Sequence, residues 1–170
     1  MRIRPERPDD VAAVSRINRL AFGQPAEDDL VVRLRAADRA ALSLVADEET
    51  GRIVGHILFS PVRLDPEPPA PPVWWGLAPM AVLPARQREG IGSALVRAGL
   101  DRARAAGVTA VVVLGHPDYY PRFGFAPASR VGLRCVYDAP DDAFMAIELV
   151  PGGFGGHRGL VRYAPEFDAL

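Results

Sequence analysis

Apolar positions recur along the first third of the chain with a helical period and then with a strand period. Arg2–Arg4 reads as a short first strand. Val11, Val14, Ile17 and Ala21 fall on one face of a helix, with Asp9 or Asp10 placed to cap it. A second helix is predicted over about residues 26–37. Its acids, Glu27, Asp28 and Asp29, come first and Arg33 and Arg35 come late, the order that suits the helix dipole. Leu42–Ala46 then reads as an apolar strand, Asp47–Gly51 as a turn, and Ile53–Val62 as the returning strand of an antiparallel hairpin.

A strand is predicted over Val73–Val82, although Pro79 lies inside it. Proline cannot donate to a sheet ladder, so Pro79 implies an edge, a bulge or a point where a partner strand leaves. Ile91, Ala94, Leu95 and Ala98 describe another helix, ending near Gly107, and Val108–Leu114 is apolar save for Thr109, as a strand buried on both faces would be. Strand, glycine-containing turn, helix and buried strand make a βαβ unit with a parallel pair. Further strands are expected at Val131–Tyr137 and Ala143–Val150, with a polar turn at Asp138–Asp142 between them. The glycine-rich loop Pro151–Gly156, able to flex over a substrate or to be an inert connection, leads to a last strand, Leu160–Tyr163. The proline-rich stretch Leu64–Pro72 reads as a stiff exposed loop, too short to link domains.

Length and composition narrow the class. The 170 residues fit one α/β domain, 1–170, and the 49% apolar and 24% charged content is that of a globular protein. No apolar run reaches the roughly 18 residues of a membrane span. No apolar segment follows the charged start Met1–Glu6, so no signal peptide is expected. Cys135, the single cysteine, cannot form an internal disulfide, and a reducing cytoplasm is the default location. A net charge of −1 argues against a general nucleic-acid binder. All 20 basic residues are arginines, so there is no lysine for a nucleoside-triphosphate P-loop and none to serve as the chain's own substrate. No metal and no membrane partner is expected, and the chain is expected as a monomer or homodimer.

The chemistry concentrates at Gln87–Ser93. Gly90 and Gly92 lack a Cβ, so a ligand can approach the backbone closely. The first N–H groups of the following helix have no internal partners, and the aligned peptide dipoles add partial positive charge there. A pyrophosphate fits that description; so does a turn whose glycines only permit close packing.

Gln87-Arg88-Glu89-Gly90-Ile91-Gly92 resembles the Gln/Arg-x-x-Gly-x-Gly/Ala signature of the GNAT acetyltransferase superfamily. It follows Met80-Ala81-Val82-Leu83-Pro84, which is similar to that family's apolar strand ending in Val-x-Pro. About thirty residues on, Tyr119-Tyr120-Pro121-Arg122-Phe123-Gly124-Phe125 resembles its second landmark, a tyrosine four residues before a Gly-Phe pair. The stretch from Leu114-Gly115-His116-Pro117 to Phe125, with the ending Gly159–Phe167, resembles a branch of acetyltransferases with no single agreed substrate. The resemblance covers essentially the whole chain. It implies the GNAT fold, a mixed, mostly antiparallel twisted sheet around a βαβ cofactor-binding core, with acetyl-CoA as co-substrate and a small-molecule or peptide amine as acceptor.

Position by position, the resemblance implies that backbone N–H groups of Gln87, Arg88, Gly90, Ile91, Gly92 and Ser93 hold the coenzyme pyrophosphate, with Arg86 and Arg88 able to add charge at the rim. It implies that Met80, Ala81 and Val82 pair with the pantetheine arm where the fourth strand separates from the fifth. An acceptor amine with pKa near 10.4 is only about 0.04% neutral at pH 7, a cost of about 4.6 kcal/mol, so a base, a water path or a desolvating pocket is needed. A backbone N–H at Ala81 or Val82 is the candidate oxyanion donor. Tyr120 stands at the family's position for the acid that meets the leaving thiolate, although Tyr119, Tyr120, Phe123 and Phe125 also read as aromatic core. Glu27 and His116 are the candidate bases. Glu27 reads equally as a helix-dipole partner, and His116 departs from the asparagine common near that position. His56 reads as a core histidine and His157 as a surface one. A second reading is an acyl-CoA-binding sensor with little or no transferase activity.

Overall fold

The computed structural model describes residues 1–170. The nine strands are β1 Arg2–Pro5, β2 Leu42–Asp47, β3 Ile53–Asp65, β4 Trp74–Val82, β5 Ala110–Leu114, β6 Ala126–Pro127, β7 Leu133–Cys135, β8 Phe144–Glu148 and β9 Gly159–Arg162. The three helices are α1 Val11–Phe22, α2 Ala26–Ala36 and α3 Ile91–Ala105. The sheet is mixed and mostly antiparallel; β4–β5 and β7–β9 are its parallel pairs. The backbone separates into two compact units. One holds Met1–Phe59, Ala78–Gly99 and Glu166–Leu170, and the other Ser60–Leu77 and Leu100–Pro165.

In the first unit the strand order is β1-β2-β3-β4. The hairpin forms as its pattern dictates, Leu44 facing Ile57 and Val45 facing His56, with all four of these side chains fully buried. On α1, Val14 and Ile17 turn inward, and on α2, Leu30, Val31 and Leu34 do so. Asp10 precedes α1 but does not cap it. Its carboxylate accepts from the Arg4 guanidinium at 2.7 and 3.0 Å and from the Arg7 N–H at 2.7 Å, and Arg4 also donates to Asp47 at 2.8 Å. A buried arginine attracts a carboxylate more strongly than one peptide N–H does, and Arg4 accordingly holds Asp10 below the usual carboxylate range.

His56 is a core histidine with a defined proton position. The Asn18 amide donates to Nδ1 (3.1 Å), so the proton sits on Nε2 and is donated to Ser43 Oγ at 2.9 Å; Ser43 in turn donates to Glu6, which Arg35 also holds. Burial, and secondarily the Arg35 charge, lowers the His56 pKa from 6.5 to about 3. An unfolded chain protonates this histidine near pH 6.5 while the folded chain does not. Stability present above about pH 6.5 is therefore lost as pH falls towards 3. We expect the urea midpoint to fall between about pH 6.5 and 4.5 in the wild type, and to fall markedly less in His56→Gln. Parallel pH profiles of the two proteins would show that His56 is not held neutral.

In the second unit the order is β3-β4-β5-β8-β6, with β9 joining β3 at Arg63–Asp65 and β7 beside β9. β4 and β5 pair in parallel from Trp74↔Ala110 to Leu77↔Val113, and the pairing stops two residues before Pro79. The proline thus occupies the stretch of β4 from which this partner has departed. Val111, Val112 and Val113 are buried, as a continuous apolar run requires.

Several elements differ from the sequence pattern. β3 runs on to Asp65 because β9 pairs with its far end, so the proline-rich loop starts at Pro66. The strand expected over Val131–Tyr137 is only Leu133–Cys135. A 3-10 turn, Ala128–Val131, takes its first residue and ends at Gly132, whose φ of +76° favours glycine. The glycine-rich loop is pinned. The Trp74 indole donates to the Gly153 carbonyl (3.3 Å) and to Thr109 (3.1 Å), and a Cβ on Gly153 would stand 2.2 Å from the Thr109 carbonyl. His157, read as a surface residue, is half-buried, edge-on to Trp74 with ring centroids 6.0 Å apart.

Candidate active site

The turn into α3 is built by local chemistry. The Leu83 N–H donates to the Val54 carbonyl at 2.9 Å, which ties the end of β4 to β3. Pro84–Arg86 makes one 3-10 turn, and the Gln87 side-chain amide reaches back to the Val82 carbonyl at 3.1 Å. Arg88 and Gly90 then take left-handed backbone conformations, φ +64° and +84°, and the helical ladder opens with Ala94 N–H on the Gly90 carbonyl at 3.0 Å. Ile91 and Leu95 are buried, and a Cβ on Gly55 would stand 3.0 Å from each, so the start of α3 lies close against β3.

The result is a helix N-terminus entered through an exposed turn. A Cβ at Gly90 would meet nothing within 4 Å, so that side of the backbone is open. Gln87, Arg88, Glu89 and Gly90 are exposed, Ile91 is buried, and Gly92 and Ser93 are half-buried. A 15-residue helix presents its first N–H groups and its dipole at this point. Arg86 does not supply the rim charge expected of it, since Glu48 and Glu89 (2.7 Å) both bind its guanidinium. Arg88 is exposed. Ahead of the turn, Ala81 and Val82 are buried and Met80 is half-buried.

Tyr120 opens a 3-10 turn, Tyr120–Phe123, that ends at Gly124 with φ +103°. The residue is 7% exposed, and Tyr119 at 5.1 Å, Phe125 at 5.7 Å and Phe123 at 6.3 Å between centroids pack against its ring. Burial, with a smaller contribution from Tyr119, raises its phenol pKa, so the hydroxyl is a donor throughout the physiological range. Tyr119 packs edge-on against Tyr120 and carries the Arg122 guanidinium 4.5 Å above its ring. His116 is exposed, and its carbonyl accepts from the Tyr119 and Tyr120 N–H groups at 3.1 and 3.4 Å.

Glu27 lies in the first turn of α2, half-buried, and accepts from the Gln24 amide at 3.0 and 3.2 Å. The adjacent Asp28 reads in the sequence only as one of three acids at the helix start. It is 2% exposed, and one oxygen takes the Ser15 hydroxyl (2.7 Å) and Arg19 (2.6 Å) while Oδ1 has no partner. Its spacing to buried Val31 was the available signal.

An open glycine-containing turn at a helix start after an apolar strand, and a buried phenol on a turn after the parallel partner strand, are two separate landmarks. Residues 11–125, which contain both, match the model of the Acetyltransferase (GNAT) family. The chain belongs to the GNAT acetyltransferase family. It is 37% identical over 168 residues to the uncharacterized N-acetyltransferase YhbS of Escherichia coli strain K12, covering 99% of each chain. The crystal structure of YhbS in complex with CoA matches with a TM-score of 0.93 at 36% identity, covering 98% of this chain and 91% of that one. A GNAT family acetyltransferase from Brucella melitensis, crystallised with acetyl-CoA, matches with a TM-score of 0.80 at 40% identity, covering 98% and 97%. This GNAT chain is thus an N-acetyltransferase by family. None of its helices is long and apolar enough to cross a membrane.

Proposed function

We propose that this GNAT protein transfers an acetyl group from acetyl-CoA to a primary amine by direct attack in a ternary complex. The observation that carries the reading is the entry to α3, where open backbone at Gly90 precedes a long helix. The turn suits a pyrophosphate on two counts: a helix start carries N–H groups in excess of its own acceptors, and a glycine leaves that side of the backbone clear; the Gln87 N–H, which donates to the Pro84 carbonyl at 3.5 Å, would have to be shared. Backbone N–H groups of Gln87, Arg88, Gly90, Ile91, Gly92 and Ser93 would hold that anion. Met80, Ala81 and Val82 would pair with the pantetheine amides, and a backbone N–H at Ala81 or Val82 would stabilise the oxyanion. The CoA bound to YhbS and the acetyl-CoA bound to the Brucella relative support the same choice of co-substrate.

The amine attacks the thioester carbonyl once neutral, the carbon–sulfur bond breaks, and the sulfur leaves as a thiolate. Tyr120 would give that thiolate its proton or a hydrogen bond; its raised pKa keeps the phenol protonated, which favours the hydrogen bond over complete transfer. Glu27 or His116 would take the proton from the amine. Calorimetry with acetyl-CoA and thiol release across a panel of amines test the reading. Binding without transfer to any amine would favour an acyl-CoA sensor instead. We expect Glu27→Gln or His116→Ala to lower turnover at least about 10-fold and to shift its pH profile. Wild-type rates in both variants from about pH 6 to 9 would assign deprotonation to water or to the substrate itself.

A further inference from the structure

We infer that Gly115 is a positioning residue for Tyr120: the place where its Cβ would stand is the seat of the tyrosine ring. This rests on the reading of Tyr120 as the acid. A Cβ built on Gly115 would lie 2.4 Å from Tyr120 Cε2, 3.0 Å from Cδ2 and 3.4 Å from Cζ. Carbon atoms settle at about 3.5–4.0 Å, so any side chain here displaces the ring by about 1 Å. Space is what the position requires. Gly115 is not among the glycines with positive φ, so alanine is compatible with its backbone.

Neither partner has an easy way to yield. The Gly115 N–H donates to the Ala143 carbonyl at 2.9 Å, directly after the Leu114↔Phe144 pair that closes the β5–β8 ladder. The Tyr120 backbone is tied to the next residue along, its N–H and that of Tyr119 both reaching the His116 carbonyl. Around the ring, Tyr119, Phe123 and Phe125 take up the remaining sides. Tyr119 is itself held, by the Arg122 guanidinium over its face and by Arg122 Nε donating to its carbonyl at 2.8 Å. A ring pushed from Gly115 therefore carries its hydroxyl with it. A catalytic group misplaced by about 1 Å can lose about 100-fold in rate.

The test is a double-mutant cycle of Gly115→Ala and Tyr120→Phe, read as kcat and acetyl-CoA affinity. Gly115→Ala should lower kcat roughly 10- to 100-fold and leave acetyl-CoA affinity within about 3-fold. In the Tyr120→Phe background the same change should cost less than about 3-fold, because the hydroxyl it misplaces is already gone. Unchanged kcat in Gly115→Ala, or losses that multiply in the double variant, would overturn the inference. If Tyr120→Phe by itself leaves kcat unchanged, the acid assignment fails instead, and the two failures are distinct. A stability arm covers a variant too unstable to assay. Gly115→Ala should lower the melting temperature of the wild type but not of Tyr120→Ala, where the ring is absent; equal losses in both would show that the ring does not occupy the seat.

Discussion

Tyr120→Phe is expected to lower kcat about 100-fold, the low end for losing a positioned acid, while acetyl-CoA affinity and melting temperature change little. The substitution keeps the ring, and the ring makes the contacts that hold this turn: Tyr119, Phe123 and Phe125 on one side and the Gly115 backbone on the other. Only the oxygen is lost. That oxygen is asked to act as the thiolate departs, after the amine has attacked, so its contribution belongs to the transition state and not to bound acetyl-CoA. Thiol release with any accepted amine, run beside a melting curve, decides the matter. A large fall in melting temperature with unchanged turnover would make Tyr120 a core residue. Unchanged turnover and stability would mean that another donor meets the thiolate.

Gly90→Asp and Gly92→Asp should each weaken acetyl-CoA binding about 100-fold, a loss of about 2.7 kcal/mol. The two act differently. At Gly90 the backbone has φ +84°, which L-residues adopt at a cost of about 1–2 kcal/mol, so the aspartate strains the turn as well as placing a carboxylate on its open side. Gly92 lies in the first turn of α3, where an acid is favourable for the fold because it meets the positive end of the helix dipole. There the variant should remain stable and supply its own anion to the site a pyrophosphate would occupy. Calorimetry showing wild-type affinity in both variants would remove the loop assignment. Loss in Gly90→Asp with none in Gly92→Asp would put the bound anion on the turn and not on the helix N-terminus.

Much of the architecture was legible in the sequence because it depends on neighbours within one or two turns of chain. The 3.6-residue spacing of Val14 and Ile17 and of Ile91 and Leu95 marks helix faces that do turn inward, whereas Val11, expected on the same face, is 40% exposed at the start of α1. The apolar run Ala110–Val113 marks a strand enclosed on both faces, and Pro79 marks where β4 and β5 no longer pair. Gly90 and Gly92 at the start of a helical pattern mark the turn into α3, and with the Tyr120–Phe125 stretch they carry the resemblance to the family.

What the sequence left open was settled by partners far apart along the chain. Arg86 has the charge for an anion site, yet Glu48, 38 residues away, takes it. Asp10 has the chemistry of a helix cap, yet Arg4 and the Arg7 N–H claim its carboxylate. The loop at Gly153 has the composition of a mobile segment, yet the Trp74 indole, 79 residues earlier, holds its carbonyl. Gly115 reads as one more turn glycine until the Tyr120 ring is seen standing where its Cβ would be. Local pattern sets which backbone conformations are cheap, and so fixes helices, strands and turns. Which charge is neutralised, which loop is held and which ring meets which backbone depend on distances that only the folded chain sets.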